Sequence, residues 1–359
     1  MKPTVNWLLA FIPVTLALEY AHAPAPLVFL SAALAIIPIA AAIVHATEHL
    51  ATHTGDAVGG LLNATFGNAP ELIIATVALR AGYLDMVRAS IIGAILANLL
   101  LALGVAFVLG GWRYKDQTYN ASASRLYSTM MLLAAVSLAV PSAFSRYFAP
   151  EGTMRAEQML NIGIAGTLLF AYVLYLLFAL KTHPGWFASV EHIAHDDEEH
   201  HEKAWSVPRA IGTLVGAAVL AAWMSEILVG AAEGAGKALG MSSVFMGIVL
   251  LAVIGGAAES GSAIAVAMKN KMDLSLGIAL GSSIQIALFV APVLVFASYF
   301  IAPQPLELSF SRAEVGSLFL GVLVGAMVCA DGRTNWFKGA QLVTLYLIIA
   351  MMFYFMPAT

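Results

Sequence analysis

Apolar residues fill most of the chain in long stretches, and short segments rich in polar residues, glycine or proline interrupt them. Most stretches approach or exceed the roughly 20 residues that a helix needs to cross a bilayer. The pattern therefore predicts eleven membrane-spanning helices joined mainly by short loops. Their predicted bounds are 5–20, 26–47, 58–80, 88–110, 125–145, 158–181, 208–233, 244–268, 274–298, 311–330 and 337–356.

One strongly charged segment interrupts this pattern near the middle of the chain. Acidic residues and histidines are concentrated in residues 182–207, and five predicted helices follow this connector. Five others precede it over 26–181, after a first helix within residues 1–25. We therefore predict two five-helix units, 26–181 and 208–359, joined by an acidic, His-rich connector.

The first helix has a second interpretation. Lys2, the apolar run and the small residues Ala21 and Ala23 resemble a secretory signal peptide with its cleavage site. We expect the helix to be retained. The order of the other ten spans is the same in either case.

Composition excludes several classes of protein. Of the 359 residues, 60% are hydrophobic and 11% charged, and the mean hydropathy is +0.86. Soluble domains carry about a quarter charged residues, so a soluble enzyme and a disordered chain are excluded. The net charge of −4 leaves no basic surface for nucleic acid. Cys329 is the single cysteine, which excludes an internal disulfide and a cysteine-based zinc site. We predict an all-α polytopic membrane protein.

The distribution of lysine and arginine predicts the orientation. Positive residues are enriched in cytoplasmic loops, and 11 of the 17 fall on the side of the N-terminus. These are Lys2, Arg113, Lys115, Arg125, Lys181, Lys203, Arg209, Lys269, Lys271, Arg333 and Lys338. We predict a multi-pass protein of a prokaryotic-type inner membrane, with a cytoplasmic N-terminus and connector and an external C-terminus.

The two halves resemble each other in sequence. GNAPE at 67–71 matches GGAAE at 255–259, and the same offset also pairs Asp85 with Asp273. Each unit has an odd number of spans, so the second copy enters the membrane upside down. Inverted repeats are typical of secondary transporters, whose sites lie near the middle of the membrane where the repeats meet.

Glu71 and Glu259 are the central candidates for chemistry, since each lies about halfway along a predicted span. A carboxylate there is costly, which favours a functional role. Asn68 shares the helix face of Glu71, and Pro70 frees the carbonyl of Phe66. Three glycines let backbone and ion approach closely: Gly67, Gly255 and Gly256. Such oxygens suit a hard cation, and Ca²⁺ accepts six to eight of them. The alternative is a pair of structural acids bonded to neighbouring helices.

The next span of each half adds polar groups. Asn98 lies in the first half, and Ser282 and Gln285 share a helix face in the second. These side chains either complete the coordination shell or line its access path. Interhelical hydrogen bonding, which is common in membrane bundles, is the alternative.

Two further glutamates lie nearer the helix ends. Glu48 in the first half matches Glu233 in the second, at an offset close to that of the central pair. They are either cation-entry or proton-relay groups or solvated acids at helix ends. Glu226 has no counterpart in the other half, and we rank it lower.

Two histidine-containing segments offer other chemistry. His45, Glu48 and His49 fit the H-x-x-E-H pattern of a zinc peptidase, but the pattern is short and no third ligand is evident. The connector at 191–202 is either a metal-capturing or regulatory tract or a solvated link. Its histidines are His192, His195, His200 and His201.

These motifs together resemble the calcium/proton exchanger family. Residues 59–104, which contain GNAPELIIATVAL, are similar to its first signature, and residues 245–296, which contain GGAAES, to its second. The segment 45–53, KTH at 181–183 and DGRTNWFKGA at 331–340 also fit. The resemblance implies one extra helix plus two inverted five-helix repeats. It also implies that Glu71 and Glu259 bind the exchanged cation, in competition with protons.

The chain departs from that family's pattern at several positions. The family usually reads GNAAEH in the second repeat, whereas this chain has Gly256 in place of the asparagine and Ser260 in place of the histidine. Pro70 stands where threonine or alanine is usual, and Ala94 and Ala97 stand where serine is common. Ser260 lies at a position that the resemblance links to the proton path.

We therefore predict a non-enzymatic cation antiporter that exports Ca²⁺ from the cytoplasm in exchange for H⁺ by alternating access. Ca²⁺ is its substrate, no cofactor is expected, and its partners are the two ions and the lipid bilayer, without nucleic acid. Exchange coupled to Na⁺, or exchange of another divalent cation such as Mn²⁺, is the alternative within this class. A passive cation channel and a membrane zinc peptidase are the alternatives from other classes. The oligomeric state stays open.

Overall fold

The structure, a computed structural model, describes residues 5–54, 56–148, 154–183, 185 and 205–356. Nearly all of these residues are helical, which confirms the predicted fold class. The helices are α1 (Val5–Tyr20), α2 (Ala25–Ala51), α3 (Asp56–Phe66), α4 (Ala69–Arg80), α5 (Leu84–Tyr114), α6 (Ala121–Tyr147), α7 (Met154–Thr182), α8 (Val207–Leu239), α9 (Ser243–Gly255), α10 (Ala257–Ala267), α11 (Met272–Ile301), α12 (Arg312–Val328) and α13 (Trp336–Phe355). Two short strands, β1 (Asp116–Thr118) and β2 (Arg333–Asn335), lie between helices.

Most predicted spans correspond to a single long helix. Among the described residues, seven helices are long and apolar enough to cross a membrane: α2, α5, α6, α7, α8, α11 and α13. The pair α9 and α10 makes an eighth if it is counted as one bent span. The first helix is shorter, and α12 has 17 residues. The count of eleven spans stays a prediction.

Two predicted spans are each divided into two helices. The span 58–80 breaks at Gly67 and Asn68, between α3 and α4. The span 244–268 breaks at Gly256, where α9 and α10 meet at 56°. Hydropathy does not reveal these breaks, because the residues on both sides of each break are apolar. The sequence analysis predicted these segments as spans but not the positions of the breaks.

Two long helices follow the breaks and repeat one another. Within α5 a π-helical segment covers Ala97–Ala102, and within α11 a similar segment covers Ile286–Val290. The order of a broken helix followed by a helix with a π-helical segment therefore occurs once in each half. This order agrees with the repeat seen in the sequence.

Close helix packing distinguishes one side of the bundle. A Cβ atom on Gly93 in α5 would lie 2.1 Å from the carbonyl oxygen of Ile248 in α9, and one on Gly247 would lie 2.5 Å from that of Met86. The two helices therefore cross with their backbones in contact. The equivalent of Gly93 in the second half, Gly281, has no atom within 4 Å of such a Cβ.

A two-stranded antiparallel ribbon joins the segment before α6 to the segment before α13. Strand β1 pairs with β2 through Gln117 and Thr334. The buried Gln117 side chain donates hydrogen bonds to the carbonyl of Ala267 (2.9 Å) and to Oδ1 of Asn270 (3.0 Å). The ribbon therefore holds the loop that leads into α11.

Candidate cation site

The two helix breaks position the central glutamates. Glu71 lies in the first turn of α4 and Glu259 in the first turn of α10, so each follows a break directly. The first N–H groups of a helix lack intrahelical partners and carry partial positive charge, which favours an acidic side chain there. Each break therefore creates a helix N-terminus that favours the carboxylate placed there.

The glycine at one break faces the glutamate of the other half. A Cβ atom on Gly67 would lie 3.4 Å from Oε1 of Glu259, and one on Gly255 would lie 3.1 Å from Cγ of Glu71. These two glycines occupy equivalent positions in the two matched motifs. Their lack of side chains lets the two acidic helix ends approach the centre of the bundle.

A chain of hydrogen bonds joins the predicted polar residues around Ser282. The Ser282 hydroxyl donates to Oδ1 of Asn68 (2.8 Å) and accepts from Nδ2 of Asn98 (2.9 Å). Asn68 in turn donates from Nδ2 to Oε1 of Gln285 (2.5 Å). Asn68, Asn98 and Ser282 are buried, and Gln285 is half-buried. The four side chains form one polar cluster, called here the amide cluster.

The carboxylates themselves are short of partners. Both oxygens of Glu71 and Oε2 of Glu259 are buried and accept no hydrogen bond from any described residue. Buried polar atoms without partners are rare in native structures and call for an explanation. Three such oxygens beside four amide and hydroxyl groups make a set of hard ligands that suits a divalent cation.

A cavity of about 300 Å³ leads to only one of the two glutamates. It reaches Glu259, Ser282 and Gln285 from Glu48 and Asp273 near the ends of α2 and α11. Glu71 instead borders a pocket of about 20 Å³, lined mainly by apolar side chains such as Ile74, Leu251 and Ile286. The site is therefore accessible from the side where α2 ends and α11 begins.

On the opposite side, Glu233 stands apart from the cluster. Its carboxylate accepts a hydrogen bond from Lys237 (2.6 Å), and the Tyr83 hydroxyl lies 3.4 Å away. More than half of the Glu233 side chain is exposed. The structure therefore does not bring Glu233 together with the other candidates, whereas its sequence counterpart Glu48 lines the cavity.

The histidine motif shows ordinary side-chain contacts. Nδ1 of His45 lies 3.5 Å from Oε2 of Glu48, and His49 stacks on Trp205 with ring centroids 4.5 Å apart. Among the described residues, no group of three or more His, Cys, Asp or Glu side chains is placed to hold a metal ion. The connector histidines at 192–201 lie outside the described residues.

The family resemblance linked Ser260 to the proton path, and Pro70 pointed to the backbone carbonyl of Phe66 as a ligand. Ser260 is half-buried, and its backbone N–H donates to the carbonyl of Gly256 (2.9 Å). Ser262, one turn after Glu259, lines the cavity. Phe66 is the last residue of α3, immediately before the break. The roles of Ser260 in proton transfer and of the Phe66 carbonyl as a ligand stay predictions.

The sequence comparisons bear on this arrangement. Residues 24–181 and 209–355 match the family model of the sodium/calcium exchanger protein. The chain belongs to the sodium/calcium exchanger protein family. A Ca²⁺/H⁺ antiporter of Aphanothece halophytica is 41% identical over 98% of this chain and 96% of its own length. The Bacillus subtilis Ca²⁺/H⁺ antiporter is 39% identical over 96% of this chain and 97% of its own length.

A solved structure is also similar to this exchanger-family chain. The structure of native YfkE shares 35% sequence identity, covers 98% of this chain and 100% of its own, and superimposes with a TM-score of 0.84. The relatives are antiporters and transporters rather than enzymes. This agrees with the prediction of a multi-pass transporter and speaks against the zinc peptidase.

Sequence reasoning missed several residues of the cavity wall. Asn63 lies one helical turn before Gly67, a spacing that pointed to the same face. Asp273 was noticed only as the repeat partner of Asp85, and Ser262 lies one helical turn after Glu259. Tyr127 also lines the cavity, and nothing in the sequence indicated it.

Proposed function

We propose that this protein is a Ca²⁺/H⁺ antiporter of a prokaryotic-type inner membrane that exports Ca²⁺ from the cytoplasm. The observation that carries the proposal is a pair of glutamates at equivalent helix breaks beside the amide cluster, with three carboxylate oxygens that are buried and accept no hydrogen bond from the described residues. Relatives 41% and 39% identical along nearly the whole chain are named Ca²⁺/H⁺ antiporters, which supports the choice of ions.

The proposed cation ligands combine two charges with neutral oxygens. Glu71 and Glu259 supply the carboxylates. The remaining ligands are Asn68, Asn98, Ser282 and Gln285 through their side chains, and Phe66, Gly67 and Gly255 through their backbone carbonyls. Ca²⁺ tolerates such a mixed and flexible shell, and it gains from two nearby negative charges.

Coupling follows from the charge of the site. Two ionised carboxylates in a water-poor interior are costly unless a cation or protons neutralise them. The site therefore changes its exposure from one side of the membrane to the other when it is filled with Ca²⁺ or protonated. The empty, charged site does not cross, and this rule couples the opposite fluxes of Ca²⁺ and H⁺.

The cavity supplies the proposed entry path. Glu48 and Asp273 stand at its mouth and attract cations toward Glu259. With the N-terminus in the cytoplasm, as the distribution of lysine and arginine favours, this mouth opens to the cytoplasm. Ca²⁺ then enters from the side from which it is exported.

The deciding experiment is Ca²⁺ uptake by proteoliposomes with an imposed pH gradient and no Na⁺. We expect uptake against the Ca²⁺ gradient, and its collapse when a protonophore is added. A passive channel would only equilibrate Ca²⁺. The family model's name favours Na⁺ coupling as a second candidate, so a parallel assay imposes a Na⁺ gradient at equal pH. Uptake in that assay alone would contradict proton coupling.

A further inference from the structure

The two halves of the cation site are chemically unequal. Asn68, Ser282 and Gln285 belong to the amide cluster, and Ser282 and Gln285 line the same cavity as Glu259. The offset that pairs Glu71 with Glu259 relates each of the three to a residue that carries no polar side chain. These equivalent residues are Gly256 for Asn68, Ala94 for Ser282 and Ala97 for Gln285.

Position 256 faces the site in spite of having no side chain. A Cβ atom built on Gly256 would lie 3.6 Å from Oε1 of Glu71 and 3.3 Å from Oδ1 of Asn98. An amide at this position would therefore reach the carboxylate that accepts no hydrogen bond from any described residue. Ala94 supplies no replacement, and Ser90, which also lines the pocket beside Glu71, carries no amide and donates its hydroxyl to the carbonyl of Val87 (2.8 Å).

The side-chain amide of Asn98 also donates its hydrogen bond toward the second half of the site. It comes from the first half, but its Nδ2 donates to Ser282 in the amide cluster. The side-chain amides of the described site thus gather in one hydrogen-bonded cluster. Glu71 has few neutral side-chain ligands around it.

We propose that Gly256 sets the strength of cation binding, because the Glu71 half of the site has no amide at the position where Asn68 supplies one to the other half. This inference rests on the proposed function. A divalent cation then gains an amide oxygen from Asn68 but none from the equivalent position 256. Such a site binds more weakly than one with an amide at both positions.

The first test adds the missing amide. Titration calorimetry with CaCl₂ on the purified full-length protein compares wild type, Gly256→Asn and the smaller Gly256→Ser. We expect Gly256→Asn to lower the Ca²⁺ dissociation constant about tenfold, and Gly256→Ser to lower it by less. The matched control is Gly261→Asn on the same helix, because a Cβ at Gly261 meets no atom within 4 Å. Its dissociation constant stays at the wild-type value.

The second test moves the amide from one half to the other. We expect the single variant Asn68→Gly to bind Ca²⁺ about tenfold more weakly than wild type. The double variant Asn68→Gly, Gly256→Asn should also bind more weakly than wild type, because Ala94 and Ala97 offer the moved amide no hydrogen-bond partners. Adding Ala94→Ser and Ala97→Gln restores binding. Elution volume and melting temperature verify that each variant is folded. If Gly256→Asn does not fold, Gly256→Ser and Asn68→Gly decide the matter.

The outcomes separate this inference from the proposed function. Equal affinity of wild type and the Gly256 variants, or full recovery in the double variant, would show that the halves are equivalent and overturn the inference alone. Wild-type protein that binds no Ca²⁺ would overturn the proposed function, and the inference with it.

Discussion

At the scale of single residues, the site consists of groups that only an added ion would satisfy. Glu71 is 9% exposed, yet both of its carboxylate oxygens accept no hydrogen bond from the described residues. Leaving a buried polar group unpaired normally costs stability. The amide cluster nearby is joined by hydrogen bonds in the same interior. On the proposal made above, the carboxylates bind the transported ions, and the hydrogen bonds of the amide cluster hold its side chains in position as neutral ligands.

Removing either charge tests this assignment. Glu71→Gln and Glu259→Gln keep the side-chain shape but remove a charge that a divalent cation requires. We expect each variant to lose at least about a hundredfold in the rate of Ca²⁺/H⁺ exchange, while its melting temperature is unchanged or raised. The assay is pH-driven ⁴⁵Ca²⁺ uptake by proteoliposomes.

A second buried acid supplies the control for these variants. Glu314 is 5% exposed and forms a capping box with Ser311 at the start of α12. Glu314→Gln should transport at a rate close to that of wild type. Wild-type rates in either Glu71→Gln or Glu259→Gln, with the protein folded, would contradict a two-carboxylate site.

Sequence reasoning found polar residues that the structure brings together, while their role as cation ligands stays a prediction. Repeat symmetry pointed to Glu71 and Glu259, and polarity within apolar spans pointed to Asn68, Ser282 and Gln285. The position of Glu233 outside the site was left open, since Glu233 and Glu48 match at an offset close to that of the central pair. Which of two equivalent acids borders an open cavity depends on the conformation of the bundle, which the sequence does not encode locally.

At the scale of the elements, close packing closes one side of the bundle and leaves the other open. Helices α5 and α9 touch through Gly93 and Gly247, whereas Gly277 and Ser282 of α11 line the open cavity. The equivalent helices of the two repeats, α5 and α11, therefore differ in how closely they pack against their neighbours. A pattern of hydropathy predicts such helices but not the distance between them.

Gly93 and Gly281 form a matched pair for testing this difference. Gly93→Ala places a methyl group 2.1 Å from a backbone oxygen, which no side-chain rotation relieves. We expect it to destabilise the protein by about 1–3 kcal/mol and to lower the melting temperature in detergent. Gly281→Ala, with open space around the added Cβ, should be neutral. Equal melting temperatures for the two variants would argue against the close crossing of α5 and α9.

An ion pair between Asp331, outside the spans, and Lys338, in the first turn of α13, stabilises the segment between α12 and α13. Nζ of Lys338 donates to both carboxylate oxygens of Asp331, at 2.6 and 2.7 Å, and these hydrogen bonds lower the pKa of Asp331. Because the folded-state pKa is lower than the unfolded one, the stabilisation is present at neutral pH. It is lost as the pH falls through the pKa of the folded protein.

The expected consequence is a pH-dependent effect of Asp331→Asn. The pair is partly exposed, so the variant should lose at most about 1 kcal/mol at pH 7. The difference in melting temperature from wild type should shrink as the pH falls below about 4. Asp116→Asn, at an exposed position in β1, is the control and should show no such difference. A difference that is constant between pH 7 and pH 3 would contradict the role of this ion pair.

At the scale of the whole molecule, the two sides of the bundle offer unequal access to the site. The 300 Å³ cavity joins Glu259 to the side where α11 begins. A cavity of about 340 Å³ on the opposite side, near Tyr83 and Asp85, does not include Glu71 in its lining. One-sided access is what alternating access requires of each of its states.

Cysteine labelling tests both the access and the proposed orientation. The natural Cys329 is buried, which favours a low background. Ser262→Cys places a thiol in the cavity, and Ser90→Cys places one in the narrow pocket beside Glu71. We expect a charged, membrane-impermeant thiol reagent to label Ser262→Cys at least about tenfold faster in inside-out than in right-side-out vesicles, because its charge prevents entry through lipid. Ser90→Cys should react slowly from both sides in the absence of ions.

Faster labelling of Ser262→Cys in right-side-out vesicles would reverse the proposed orientation. Rapid labelling of Ser90→Cys from the opposite side would instead show that the site is open on both faces, as in a channel rather than an antiporter.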